Sequence, residues 1–391
     1  MSKPITAAAL MILVDAGRVD LDLPASEYIP ELARNQTADE GSGLAAKAGF
    51  TLRQALSHTS GLPFASTAEL QHEGGLDRFR GSGFAHFRST GDDSVYDGLP
   101  LKDAVASYAN EPLLSEPGSR FLYSNAGFNV IGRVIEVVSG QSYAQFVDTN
   151  LLQPLGMIDT TLWPTAAQLG RLAKSYSSSS NACEADSSGG EASFGSRLRE
   201  VPFPQLTAPF SDTARRGASP SGGYFSTAAD IARFGRMILC GGELVGRRYL
   251  SAASLSEMTT KQTAGASPAA GYGLGWQIDQ ADQLDYVAPL TPTGVAASGF
   301  GHGGAMGTEL WLCPAPGRCE GREETGGRGG VLTVLMVHMD GGVDSDGGAL
   351  RREVKAIGLS LLPPLSAAAT DQTSRSGVGS NSKRRDQAER L

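Results

Sequence analysis

Residues 4–16 are apolar on nearly every face, because Ile5, Ala8, Ala9, Leu10, Ile12, Leu13 and Val14 leave no polar stripe. A helix without a polar face lies inside a protein, so this spacing predicts a buried helix. Pro4 is tolerated in a first turn, where its missing N–H is not needed, and Gly17 is placed to end the helix. Thr51 can cap a short helix running to Ser57. Leu101, Ala104, Val105 and Tyr108 recur at helical spacing over 101–109, and Phe128, Ile131, Val134, Ile135 and Val138 do so over 126–138, before Gly140. Thr227-x-x-Asp230 reads as a capping box opening a helix with Ile231, Phe234 and Ile238 inward. Strand patterns cluster late, at 272–278, 308–313 and 331–339, where short runs are β-branched, aromatic or continuously apolar. A last helix is expected over 349–362, stopped by Pro363-Pro364. Helices first and strands last predict an α+β fold. Its helical part covers about 1–268 and its antiparallel sheet, flanked by helices, about 269–365.

Segments 64–100, 177–196 and 318–330 interrupt the pattern with Gly, Asp, Ser or charge, and read as insertions or loops. Residues 366–391 lack aromatic side chains and read as a disordered tail. With 33 basic and 41 acidic residues the net charge is −8. That balance argues against nucleic acid as a partner, since phosphate binding needs a basic surface. No apolar run approaches the ~18 residues of a membrane span. The apolar stretch at 7–14 has neither a basic segment before it nor a small-residue cleavage site after it, so no signal peptide is expected and the cytoplasm is the default compartment. The four cysteines, Cys183, Cys240, Cys313 and Cys319, match neither zinc-ligand spacing nor a disulfide framework. No metal or cofactor is expected. The glycines at 271, 273 and 275 are followed by no helix and make no phosphate cradle.

Five stretches carry candidate chemistry. They are 1–7 at the head of the buried helix with 17–24 after it, 56–63 (Leu-Ser-His-Thr-Ser-Gly-Leu-Pro), 116–127 with Tyr123-Ser124-Asn125, 222–230 beginning Gly222-Gly223-Tyr224, and 299–304 with His302-Gly303-Gly304. Taken singly, each has a structural reading. Lys3 can be a terminal lysine, Ser124 or Asn125 a helix N-cap with Tyr123 in the core, and 302–304 a turn before a strand. Together and in this order they resemble the serine β-lactamase-related hydrolases: class C β-lactamases, D-alanyl-D-alanine peptidases and β-lactamase-like esterases. The resemblance covers about residues 1–362 apart from the insertions.

The resemblance implies a β-lactamase/transpeptidase-like fold and acyl transfer through Ser-x-x-Lys at a helix N-terminus. Residues i and i+3 share a helix face, so the Lys amine reaches the Ser hydroxyl. Lys3 matches the family lysine, and the position three before it falls immediately ahead of Met1. Ser2 is no substitute, since adjacent helical residues point about 100° apart. The nucleophile is therefore expected to be absent from this chain, together with a helix and two strands of the same sheet. The strand at 331–339 would then expose an edge suited to self-association.

By resemblance, Tyr123 is a general base or proton shuttle assisted by Lys3, and the Asn125 amide contacts substrate. The phenol, with an ordinary pKa of about 10, must be lowered by a nearby cation to act so. His302-Gly303-Gly304 stands where many relatives carry Lys-Thr-Gly, and that strand backbone helps form the oxyanion hole. His302 in place of Lys removes a permanent cation, which favours small esters or peptide amides over β-lactams as substrates. His58 is read as structural, and His72, His86 and His338 have no partners at metal-ligand spacing. Three functions follow: a serine hydrolase whose full-length product carries the Ser, a pseudoenzyme that binds a ligand or partner without acylation, and a self-associating structural protein.

Overall fold

The computed structural model describes residues 1–34, 49–65, 100–178, 198–201, 217–266, 271–278, 299–304, 307–314, 330–336 and 339–340. The apolar N-terminal segment forms helix α1 (Ser2–Asp15), whose residues Ile5, Ala7, Ala8, Ala9, Leu10 and Met11 are at most 1 % exposed. Around it stand α2 (Leu52–Leu56), α3 (Leu101–Tyr108), α4 (Asn125–Ser139) and α5 (Tyr143–Val147). Helix α1 packs on α4 and α5, which accounts for its having no polar face.

Local chemistry sets the helix ends. Thr51 and Gln54 exchange side-chain and backbone hydrogen bonds in a capping box ahead of α2. Ser124, not Asn125, is the N-cap of α4, its hydroxyl accepting from the Gly127 N–H at 3.2 Å. That leaves the Asn125 side chain available for other contacts. Gly140 ends α4 with φ +75°, a conformation that disfavours any residue with a Cβ. Before α6 (Ala228–Leu239), Thr227 accepts from the Asp230 N–H. The reciprocal half of the expected box is replaced: the Asp230 carboxylate accepts instead from the Asp159 N–H (2.8 Å) and the Thr160 hydroxyl (2.9 Å). It thereby ties a distant loop to the helix. Helix α7 (Ala252–Thr259) follows and touches α1.

Strands β1 (Ser175–Ser178) and β2 (Leu198–Val201) pair antiparallel, and β3 (Glu243–Leu244) with β4 (Arg247–Arg248) forms a small hairpin. The main sheet is antiparallel in the order β5 (Gln277–Ile278), β6 (Phe300–Gly303), β7 (Glu309–Pro314), β8 (Gly330–Leu335). Its register sets His302 opposite Leu310 and Gly303 opposite Glu309. Helix α6 lies against β7 and β8. Gly235 makes the close approach possible, since a Cβ there would sit 2.1 Å from the Leu332 side chain.

Several elements differ from expectation. The strand expected over 272–278 is regular only at Gln277–Ile278, because Gly275 at φ +80° turns the chain and leaves Tyr272 a single bridge to Gln277. The run at 331–339 divides into β8 and β9 (Met339–Asp340), and β9 pairs parallel with β1 in a second sheet. Cys240 is disulfide-bonded, which the cysteine spacing did not suggest. Among the described residues, β8 is an end strand of the main sheet, and no helix is long and apolar enough to cross a membrane. The helix expected at 349–362, the tail from 366, most of segments 64–100, 177–196 and 318–330, and His72, His86 and His338 lie outside the described residues.

Candidate active site

The first turn of α1 carries Lys3 into the interior, where it is 4 % exposed. Its Nζ donates to Asn125 Oδ1 at 2.8 Å and to the Ser221 carbonyl at 3.0 Å. The same amine lies 4.6 Å from the centre of the Tyr123 ring and 5.5 Å from that of Phe128. Among the described residues no carboxylate forms an ion pair with it. Lost hydration therefore goes largely uncompensated, and burial lowers the ammonium from its ordinary 10.5 to about 7. Near neutral pH a substantial share of Lys3 is a free amine. Two of its N–H groups are held by fixed acceptors, which leaves a lone pair able to take a proton.

Tyr123 responds to the same burial in the opposite sense, its phenol being pushed above its ordinary value. This departs from the expectation that a neighbouring cation would lower it. A lysine neutralised by its own desolvation supplies little charge to stabilise a phenolate. Tyr123 is thus a protonated phenol beside a basic amine. Asn125, at the start of α4, turns its carbonyl oxygen to Lys3. Ser2 faces elsewhere, its hydroxyl accepting from the Tyr224 N–H at 3.4 Å.

Strand β6 closes another side. The Met1 nitrogen donates to the Gly303 carbonyl at 3.3 Å, which puts the head of α1 directly beside the strand. A Cβ on Gly304 would meet the Thr308 hydroxyl at 2.2 Å, so a larger residue there would require the Thr308 side chain to move. The Gly304 N–H is engaged by the Thr308 carbonyl at 2.7 Å. His302 is 4 % exposed and lies 6.4 Å from Tyr123, ring centre to ring centre. Its Nδ1 is 2.6 Å from the Gly303 carbonyl and its Nε2 is 2.9 Å from the Tyr272 hydroxyl, so both ring nitrogens are engaged within the protein. Burial, then the nearby amino terminus and Lys3, keep its pKa well below the ordinary 6.5.

Three neighbours of these side chains were not among the candidate site residues. The Ser221 carbonyl holds Lys3 from a backbone position that no side-chain pattern marks. His58, read as structural, is fully buried at φ +58° between Phe121, Tyr123, Phe128 and Tyr272, its ring 4.1 Å from that of Tyr123. Tyr272 bridges His58 and His302. The available sequence signal was Tyr272 standing between Gly271 and Gly273, which reads more readily as a turn.

A buried helix headed by a lysine, ringed by helices and flanked by an antiparallel sheet whose His-Gly-Gly strand adjoins that lysine, defines a β-lactamase/transpeptidase-like fold. The chain belongs to the β-lactamase family, described as Beta-lactamase, which matches residues 1–356. Penicillin-binding protein 4 of Amycolatopsis lactamdurans is 30% identical over 324 residues, covering 81% of this chain and 68% of that one. Esterase EstB of Burkholderia gladioli is 34% identical over 164 residues, 41% of this chain and 36% of its own. Among solved structures, EstCE1, a hydrolase with promiscuous acyltransferase activity, superposes with a TM-score of 0.61 at 21% identity, over 91% of this chain and 82% of that one. This likeness concerns the fold.

Proposed function

We propose that this protein is a serine hydrolase of small esters or peptide amides that works through an acyl-serine intermediate. The serine stands at the position immediately before Met1 in a longer product, three residues ahead of Lys3. The observation that carries the reading is the buried Lys3 amine, held by Asn125 Oδ1 and the Ser221 carbonyl and lowered to about 7. A general base is most effective with a pKa near the working pH. A buried lysine with no carboxylate partner among the described residues costs stability, and a perturbed amine of this kind marks a functional site.

In this reading the Ser hydroxyl gives its proton to Lys3 Nζ as its oxygen bonds to the acyl carbon. The bond to the leaving group then breaks, and the leaving atom receives a proton from the Tyr123 phenol, which Lys3 replenishes. Water repeats the sequence to release the acid. The role of Tyr123 thus shifts from base to proton donor, because burial raises the phenol and lowers the amine. Asn125 fixes the amine with its oxygen and offers its NH2 to an acyl group. Neutral His302 holds no fixed cation for a substrate carboxylate, which favours esters and simple amides over β-lactams. Esterase and penicillin-binding protein are the names carried by relatives.

The test is to express the product with the residues encoded upstream of Met1 and treat it with p-nitrophenyl acetate. Tandem mass spectrometry should find an acetyl group on a serine directly preceding Met1, and Lys3→Met should abolish it. Another residue at that position, or acetylation only elsewhere, refutes the proposal.

A further inference from the structure

Four hydrogen bonds run in one line from the N-cap of α4 to the strand beside Lys3. The Ser124 N–H lies 3.1 Å from His58 Nδ1, and His58 Nε2 is 3.2 Å from the Tyr272 hydroxyl. That hydroxyl is 2.9 Å from His302 Nε2, and His302 Nδ1 is 2.6 Å from the Gly303 carbonyl. The two ends fix the direction of the line. A backbone N–H can only donate, so His58 Nδ1 accepts and its proton is on Nε2. A carbonyl can only accept, so His302 has a proton on Nδ1, and in the neutral ring its Nε2 accepts. Tyr272 therefore takes a hydrogen bond from His58 and gives one to His302. Each of the three side chains has one proton, and each proton has one acceptor.

From this matching we infer that His58 and Tyr272 are positioning residues that hold His302 as the neutral Nδ1–H tautomer on the Gly303 carbonyl, an inference that rests on the acyl-transfer reading of this site. A further proton has no place in the line. On His58 it would oppose the Ser124 N–H, and on His302 it would turn the Tyr272 hydroxyl into a double acceptor and leave its proton without an acceptor in the line. The groups facing His302 are Tyr272, Tyr123, Lys3 and the Met1 amino group. Those facing His58 are Tyr123, Tyr272, Lys3 and His302. Among the described residues, no carboxylate is recorded beside either ring. Both histidines are driven below their ordinary pKa chiefly by burial, in agreement with the proton count.

The consequence is electrostatic as well as geometric. A cationic His302 would repel the proton that Lys3 must accept from the nucleophile. The line keeps that charge out of the pocket, and it ties strand β6, through Tyr272, to the α2 turn and to the Tyr123-Ser124-Asn125 segment. The left-handed backbone of His58, uncommon for a residue with a side chain, is the local strain that aims its ring into the line.

The experiment is long-range 1H–15N correlation on the full chain labelled with 15N-histidine, with His58→Gln and His302→Gln used for assignment. At pH 7 His58 should be the Nε2–H tautomer and His302 the Nδ1–H tautomer, both titrating well below the ordinary histidine range. In Tyr272→Phe, His302 Nε2 loses the donor that opposes a proton, so its titration should move upward by a pH unit or more. His58 should stay neutral, since the Ser124 N–H still faces Nδ1. An Nε2–H or cationic His302 in the unsubstituted protein overturns the inference. So does an unchanged His302 titration in Tyr272→Phe. Should that variant fail to fold, the tautomers of the unsubstituted protein decide alone. In the serine-bearing product, Tyr272→Phe should lower kcat about 10- to 100-fold with little change in KM. A serine-bearing product with no acyl transfer at all refutes the proposed function, while the histidine spectra still decide the line.

Discussion

Lys3 Nζ donates to Asn125 Oδ1 at 2.8 Å, although 122 residues separate them. The contact joins the head of a helix that is buried from Ser2 to Met11 to the head of the helix packed against it. It binds an amine whose burial lowers its pKa to about 7. Several measurable consequences follow from that burial and from the packing around it.

Replacing Lys3 by Met should stabilise the fold at neutral pH. At ~1.36 kcal/mol per pKa unit, lowering an amine from 10.5 to about 7 costs on the order of 4 kcal/mol at pH 7. The unfolded chain binds more protons than the folded one between about 7 and 10.5, so stability of the unsubstituted protein rises with pH through that window. Urea denaturation at pH 7 and pH 9.5 should show a higher midpoint for Lys3→Met at pH 7 and a smaller advantage at pH 9.5. A lower midpoint for the variant at both values would show that the two hydrogen bonds outweigh desolvation.

On the acid side the histidines act. His58 and His302 are lowered in the folded state, so the unfolded chain takes up more protons once the pH falls below about 6.5, and stability declines there. Above that value their contribution is complete. Each histidine should add a slope of up to ~1.4 kcal/mol per pH unit. Comparing denaturation midpoints at pH 7 and pH 5 should show a smaller acid loss for His302→Gln than for the unsubstituted protein.

Gly275 holds the sheet against α1. It sits at φ +80°, and a Cβ there would lie 2.7 Å from the Ala7 side chain and 3.2 Å from the Lys3 carbonyl. Gly275→Ala combines backbone strain with overpacking and should cost ~2–4 kcal/mol. An unchanged thermal midpoint would mean that α1 shifts freely, contrary to its packing on every side.

If the proposed serine ahead of Met1 is the nucleophile, a protein beginning at Met1 should not turn over activated esters or β-lactam chromogens. Robust turnover by this purified chain, lost in Tyr123→Phe, would place the nucleophile elsewhere.

Local pattern was enough for much of the helical framework. The apolar run at 4–16, the box at Thr51, the repeats of 101–109 and 126–138 and the stop at Gly140 are written in neighbouring residues, and each element formed within one or two positions of its pattern. Lys3, Tyr123, Asn125 and His302 were legible as candidates because short motifs in a fixed order resemble a family. Tertiary structure alone decided what those residues are chemically. The pKa of Lys3 and the protonation of Tyr123 depend on how much water is removed, which no local spacing encodes. The parallel pairing of Tyr176 with Met339 and the bridging of His58 to His302 through Tyr272 join positions far apart in the chain. Hydrogen-bond direction there is set by backbone groups at both ends, and backbone groups have no sequence. So the helices follow from side-chain periodicity, while the electrostatics of the site follow from burial and from main-chain atoms that only the folded chain brings together.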